Sequence, residues 1–253
     1  MMNQFIVDTA LLKDYFDILG ETCVEAIVNV YPDRLYTRVV DSANVALNDI
    51  QIPCLAEEEW IFAIDIQKLK PVLKNLKEPT TTIKLEGNKI VIETTRVVYK
   101  ITTLDLRTVR KQPENKDAPY LAVLQVPIAD LNEVLAAILT TKSKKDSGIF
   151  AWFKWDLRDL YIASDNQMDP VTGTFSGETK EVIPLRPSEV PCISAISLDY
   201  LENMKSSLSS FDNCMIGIGN NVPIGFMVSS EEGMKFAFLI APRIPKEGEI
   251  CPV

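Results

Sequence analysis

No histidine occurs among the 253 residues. Ser-His-Asp triads, Cys-His dyads, imidazole-ligated zinc and imidazole proton transfer are therefore excluded. The five cysteines, Cys23, Cys54, Cys192, Cys214 and Cys251, are far apart, odd in number and form no C-x-x-C pair. They indicate neither a zinc knuckle nor a disulfide framework and read as reduced thiols of an intracellular protein. Asp41, Asp49, Asp165 and Asp169 are the carboxylates that could make a metal or acid–base site, but acidic residues in strand-flanking turns ordinarily solvate or cap. The glycines of GIGNNV, from Gly217, lack the third glycine of a dinucleotide fingerprint. The expectation is a binding protein with no catalytic residue, metal or cofactor.

What remains is charge. Lys plus Arg is 26 and Asp plus Glu is 35, a formal net charge of -9, so no global basic field would hold the chain on nucleic acid or anionic lipid. Any polyanion site must be local. Lys70, Lys74 and Lys77 fall at i, i+4 and i+7, in a segment from Asp65 to Glu78 with four lysines against two acids. Taken alone, such a stripe is ordinarily a solvated helix face. The first residues carry no basic leader-like run, and no apolar run reaches the roughly 18 residues of a membrane span. The reading is a soluble, unprocessed chain with no membrane partner.

The elements that must position these lysines repeat along the chain. Leu11–Leu19, Ile66–Leu76, Ile128–Leu139 and Leu198–Phe211 have helical apolar spacing. Ile66, Leu69, Leu73 and Leu76 step at i, i+3, i+7 and i+10, as do Ile128, Leu131, Leu135 and Ile138. The fourth helix fits only if Lys205 stands where an apolar residue belongs. Between the helices lie alternating, β-branched stretches such as AIVNVYPDRLYTRVV, TTIKLEGNKIVIET, GIFAWFKWDLRDLYIAS and CMIGIGNNVPIGFMVS, read as antiparallel strands and hairpins. The halves match: Leu35-Tyr36 with Leu160-Tyr161, and the Gly-Asn turn at Gly87 with that at Gly219. The fold class is therefore α+β, with two similar tandem domains, residues 1–106 and 120–253, joined by the polar stretch 107–119.

Four stretches carry a resemblance to the sliding clamps of the proliferating cell nuclear antigen family: VVDSANVALNDIQI (Val39–Ile52), YKITTLDLRTVRKQP around the linker, SLDYLENMKSSL in the fourth helix, and NNVPIGFMVSSEEGMKFAFLIAPRI (Asn220–Ile244). The resemblance covers nearly the whole chain. It implies the DNA clamp fold, two helices on antiparallel sheets per domain, and a trimeric ring with the helices around duplex DNA. Such a ring is a processivity factor, opened by a clamp loader, that tethers DNA polymerase and other replication and repair enzymes. Encirclement replaces tight binding, so weak, sequence-independent phosphate contacts suffice.

Carried over residue by residue, the resemblance makes Lys13, Lys70, Lys74, Lys77, Lys142, Lys144, Lys145 and Lys205 the DNA-facing cations. It makes Val40, Asn44, Val45, Leu47, Pro223, Ile224, Leu239, Ala241 and Pro242 the pocket for a partner peptide bearing a glutamine and an aliphatic and aromatic plug. Edge strands in Arg96–Leu104 and Thr172–Glu178 would join subunits. The chain departs from the pattern at Pro71, where relatives often carry lysine, at Leu239, where they commonly carry tyrosine, and in a third helix that has Asp130 and Glu133 and no cation. These departures keep open a same-fold subunit of a heteromeric clamp, or a scaffold that does not encircle DNA. The compartment would be cytoplasmic for an archaeal chain and nuclear for a eukaryotic one.

Overall fold

The computed structural model describes residues 3–114, 118–142, 150–164, 170–208, 210–244 and 251–253. The chain divides into two units, Met1–Asn115 with Ser230–Phe236, and Lys116–Ser229 with Ala237–Val253. Both are built from one element order. The first half runs β1 (Gln4–Asp8), α1 (Thr9–Gly20), β2 (Glu25–Val30), β3 (Arg34–Val40), β4 (Ala46–Pro53), β5 (Leu55–Ala56), β6 (Trp60–Asp65), α2 (Ile66–Asn75), β7 (Thr80–Glu86), β8 (Lys89–Glu93) and β9 (Val98–Thr102). The second repeats it as β10 (Ala122–Pro127), α3 (Ile128–Leu139), β11 (Phe150–Trp155), β12 (Leu160–Ser164), β13 (Thr172–Phe175), β14 (Ile183–Arg186), β15 (Cys192–Ser197), α4 (Leu198–Leu208), β16 (Asn213–Ile218), β17 (Ile224–Ser229) and β18 (Lys235–Ile240).

The strand order is duplicated as well. In the first unit the hydrogen-bonded orders are β5-β1-β7-β8-β9 and β4-β3-β2-β6; in the second they are β14-β10-β16-β17-β18 and β13-β12-β11-β15. The matched Leu-Tyr pairs fall at the same place, Leu35-Tyr36 in β3 and Leu160-Tyr161 in β12. The Gly-Asn turns differ. Gly87 supplies the left-handed residue between β7 and β8, with φ 59°, whereas between β16 and β17 that residue is Asn221, with φ 54°; both types tolerate the conformation.

Every helix follows a strand without a loop, so the strand's last residue sets the helix start. Asp8 closes β1 and caps α1, its Oδ1 accepting from the Ala10 and Leu11 amides at 2.8 and 3.0 Å; Asp65 closes β6 and caps α2 through the Lys68 amide. The expected apolar rows face inward: Ile66, Leu69, Leu73 and Leu76, like Ile128, Leu131, Leu135 and Ile138, are each 2% exposed or less. Burying such side chains contributes about 1.5–3 kcal/mol each. α1 packs beside α2 and α3 beside α4, which leaves one polar face on each pair.

One expectation about the helices needs correction. In α4 the inward row is Leu198, Leu201, Met204 and Leu208, so Met204, not Lys205, occupies the core step, and Phe211 is buried beyond the helix end. Pro71 lies inside α2, which runs from Ile66 to Asn75 with the proline at its sixth residue. Its ring lies on the exposed face, where the missing N–H leaves the Gln67 carbonyl to water.

Candidate functional site

The eight lysines expected to face DNA fall into three groups. Lys13 reaches from α1 to the end of α2, its Nζ donating to the Leu76 carbonyl at 2.8 Å, a cation on the negative end of a helix dipole. Lys70 pairs with Asp17 of α1 at 2.8 Å, and Lys142 lies between Asp199 and Glu202 of α4 at 2.7 and 2.6 Å. The two carboxylates hold the Lys142 ammonium above the usual lysine range. These three are engaged within their own unit. Lys74 and Lys77 are exposed, Lys205 is half-buried, and none of them has an ion pair among the described residues. Lys144 and Lys145 lie outside the described residues.

The two helix pairs are electrostatically unlike. α1 and α2 carry Lys13, Lys68, Lys70 and Lys74 against Asp14 and Asp17; α3 and α4 carry Lys205 against Asp130, Glu133, Asp199 and Glu202. The cationic excess therefore lies in the first unit, on α2 and its C-terminal turn.

The residues expected to form the peptide pocket divide between the units. In the first, the β3–β4 hairpin brings Val40 opposite Leu47, with Val45 half-buried beside them and Asn44 exposed at the tip. The loop is tied from within: Asp41 Oδ1 accepts from the Val45 and Ala46 amides at 2.7 and 2.9 Å, and Oδ2 from Ala43. Asn44, at φ 60°, accepts from Arg110, whose other nitrogen donates to the Asp41 carbonyl at 2.8 Å. In the second unit Pro223, Leu239, Ala241 and Pro242 are half-buried, while Ile224 is 0% exposed and belongs to the core.

The start of the expected linker is fastened to the first unit. Leu104 continues from β9 by donating its amide to the Ala63 carbonyl of β6 at 2.9 Å, and Val109 is buried against Ile27 and Ala63. The Gln112 side-chain amide donates to the Ile27 carbonyl at 2.8 Å and its oxygen accepts from Asn29 at 2.8 Å. The second unit repeats the device after β18, where the Arg243 amide donates to the Ala195 carbonyl at 2.7 Å and the guanidinium stacks 3.8 Å above the Phe150 ring.

Sequence reasoning missed Tyr120. Gly217 and Gly225 are cross-strand partners in β16 and β17, and the Tyr120 ring lies over both: a Cβ at Gly217 would come within 2.6 Å of the ring, and one at Gly225 would overlap the hydroxyl. The hydroxyl is buried without a partner among the described residues, and burial raises its pKa to about 12. Two glycines directly opposite in a hairpin, with an aromatic residue just before the neighbouring strand, were the available signal. This is also what Gly217 of GIGNNV does.

The rival carboxylates are engaged likewise. Asp41 holds its own loop, and Asp49 accepts from Arg38 Nε at 2.8 Å and from the Tyr36 hydroxyl at 3.2 Å; Asp165 and Asp169 lie outside the described residues. Among the described residues no group of three or more His, Cys, Asp or Glu could hold a metal ion, and no helix is long and apolar enough to cross a membrane.

Two tandem α+β units of one topology, with helix pairs outside their cores and a fastened connecting segment, define a duplicated clamp-type chain. No family model matches it. It is 26% identical to the DNA polymerase sliding clamp of Methanoculleus marisnigri over 254 residues, 96% of this chain and 99% of that one. In fold it is similar to Archaeoglobus fulgidus PCNA, solved with the C-terminal region of FEN-1, at a TM-score of 0.85 and 22% identity, covering 97% of this chain and 100% of that one. It is similar also to PCNA from Thermococcus kodakaraensis, at 0.81 and 20%, covering 95% and 100%. Its fold is similar to that of these PCNA structures, and its sequence is similar to a DNA polymerase sliding clamp over nearly its whole length.

Proposed function

We propose that this chain is a DNA sliding clamp, a processivity factor that encircles duplex DNA and tethers DNA polymerase and other replication and repair enzymes. The observation that carries the reading is the match over both units, 97% of this chain, to a clamp solved with a segment of a partner enzyme. Three copies would close a ring by pairing β9 of one protomer with β13 of the next, with a clamp loader to open it. DNA would be held by topology, and the lysines of α2 would supply weak, non-specific phosphate contacts. The domains would be 1–106 and 120–253, joined by 107–119, and partner peptides would dock on the hairpin residues Val40, Asn44, Val45 and Leu47 and on Pro223, Leu239, Ala241 and Pro242. Such a protein acts by tethering and has no bond-making step of its own.

Light scattering over a concentration series tests the assembly: a mass near three times 28.3 kDa is expected, and a persistent monomer would sink the self-sufficient ring. Function is tested by polymerase extension on a primed circular template with loader present. Longer products on the circle, and none of that gain on a linear template that lets a ring slide off, are expected.

A further inference from the structure

Beside the β3–β4 hairpin the first unit holds a pocket of about 480 Å³. One wall is the corner from α1 into β2, with Val24 and Glu25; the opposite wall is the fastened segment, with Val109, Arg110 and Lys111; the end of β3 supplies the floor with Val39 and Val40. Val24 is 59% exposed although apolar, so the pocket offers an aliphatic surface to solvent. Its rim is cationic in a chain of net charge -9. Arg107, Arg110 and Lys111 fall within five residues that contain no acid. Arg107 is paired with Asp105 at 2.6 Å. Arg110 is bonded to a carbonyl and an amide oxygen, neither of which cancels its charge. Lys111 is exposed and has no ion pair among the described residues.

The nearby carboxylates do not neutralise this rim. Asp41 is turned into its own loop amides and Asp49 is held by Arg38. Among the described residues Glu25, on the far wall, is the one carboxylate in the pocket lining, against Arg110 and Lys111. A basic segment would meet Arg110 and Lys111, and a purely apolar one would leave both cations beside it unanswered; an aliphatic side chain next to a carboxylate matches both walls.

We propose that this pocket receives an acidic flank of the partner peptide: an aliphatic side chain lies on Val24, Val39, Val40 and Val109, and one or two neighbouring Asp or Glu carboxylates pair with Lys111 and Arg110. The proposal rests on the reading of this chain as a clamp that docks partner peptides, and it adds that the charge next to the docking motif selects among partners.

The test uses full-length protein and five synthetic peptides, read by calorimetry at low and moderate salt. One is the glutamine, aliphatic and aromatic core alone; the other four carry three glutamates or three lysines appended before it or after it. The expected result is that one glutamate-flanked peptide binds about fivefold or more tighter than its lysine counterpart at low salt, with the gap narrowing as salt rises, since exposed pairs are modest and screened. Lys111→Glu should remove or reverse that preference while the core alone binds as before; Lys111 is exposed, so this variant keeps the fold. Equal binding of glutamate and lysine peptides, or a preference for lysine, overturns the proposal and leaves the clamp reading intact. Failure of every peptide, the core included, overturns the docking reading and the proposal with it.

Discussion

The pairing of the lysines makes a sharp prediction about salt. Each phosphate contact adds about 0.9 to the slope of log K against log salt on duplex DNA. Lys74 and Lys77 are exposed and unpaired among the described residues, on the helix pair with a cationic excess; Lys142 is held between Asp199 and Glu202. The double change Lys74→Gln, Lys77→Gln should therefore lower the slope by about 1.8 for each protomer engaged, which is about a twelvefold difference in how far affinity falls between about 50 and 200 mM salt. Lys142→Gln should leave the slope unchanged, because its charge already answers two carboxylates. The assay is fluorescence anisotropy of a short labelled duplex across a salt series, with thermal melts to verify folding. An equal loss of slope in the Lys142 variant would show that the pairs open to meet phosphate and would refute the division of the lysines into engaged and free.

Three further outcomes follow from the same structure. Gly225→Ala must push the Tyr120 ring from its seat; with roughly 100 Å² of ring re-exposed, it should destabilise the second unit by about 2–3 kcal/mol, read by urea unfolding with tryptophan fluorescence. In a Tyr120→Ala background the same change should cost little, so absence of coupling would count against the seat; Tyr120→Phe should be neutral or slightly stabilising, since the hydroxyl is unpartnered. Burial raises the Cys23 and Cys214 thiols to about 12 and Cys54 to about 11, so at about pH 8 they remain almost wholly protonated; iodoacetamide should label these three far more slowly in native protein than in urea, and equal rates would contradict the packing. Asp159 accepts from the Gly177 amide at 2.9 Å and from Arg158, which hold its carboxyl below the usual range. The stability it contributes is present at neutral pH and is lost as pH falls through the folded-state value, so Asp159→Asn should be less stable than the parent at about pH 7, with the gap narrowing as pH falls below the usual carboxylate range; a constant gap would overturn that assignment.

The fold was legible where one apolar row decides an element. The rows of α2 and α3 are buried at every step named from spacing, and the duplication was visible in Leu35-Tyr36 and Leu160-Tyr161. α4 was misread at one step because a flexible methionine beside a lysine carries a weak pattern, and the tighter step to Met204 wins in the core. The fastened segment escaped the sequence for a different reason. Leu104, Val109 and Gln112 reach β2 and β6 from irregularly spaced positions, so no period exists to be read. The lysines show the largest gap. Spacing along one helix places Lys70, Lys74 and Lys77 on a stripe, but whether a cation is free depends on neighbours 63 residues away for Lys13 and 60 for Lys142, which no local count contains.

The strand orders also bear on how a lone protomer behaves in solution. In each second sheet the outer strand is shielded by the returning chain, at Ala63 of β6 and at Ala195 of β15; β5 is only two residues long, and β14 carries Pro184. β9 and β13 stand at the ends of their sheets, with no such guard among the described residues. If the proposed ring forms through these strands, a protomer kept from its neighbours would expose both as adhesive ribbons of unpaired amides and carbonyls. In the proposed ring a head-to-tail joint that failed to close would run on into an open filament, so a change that weakened the joint should surface first as turbidity at high concentration.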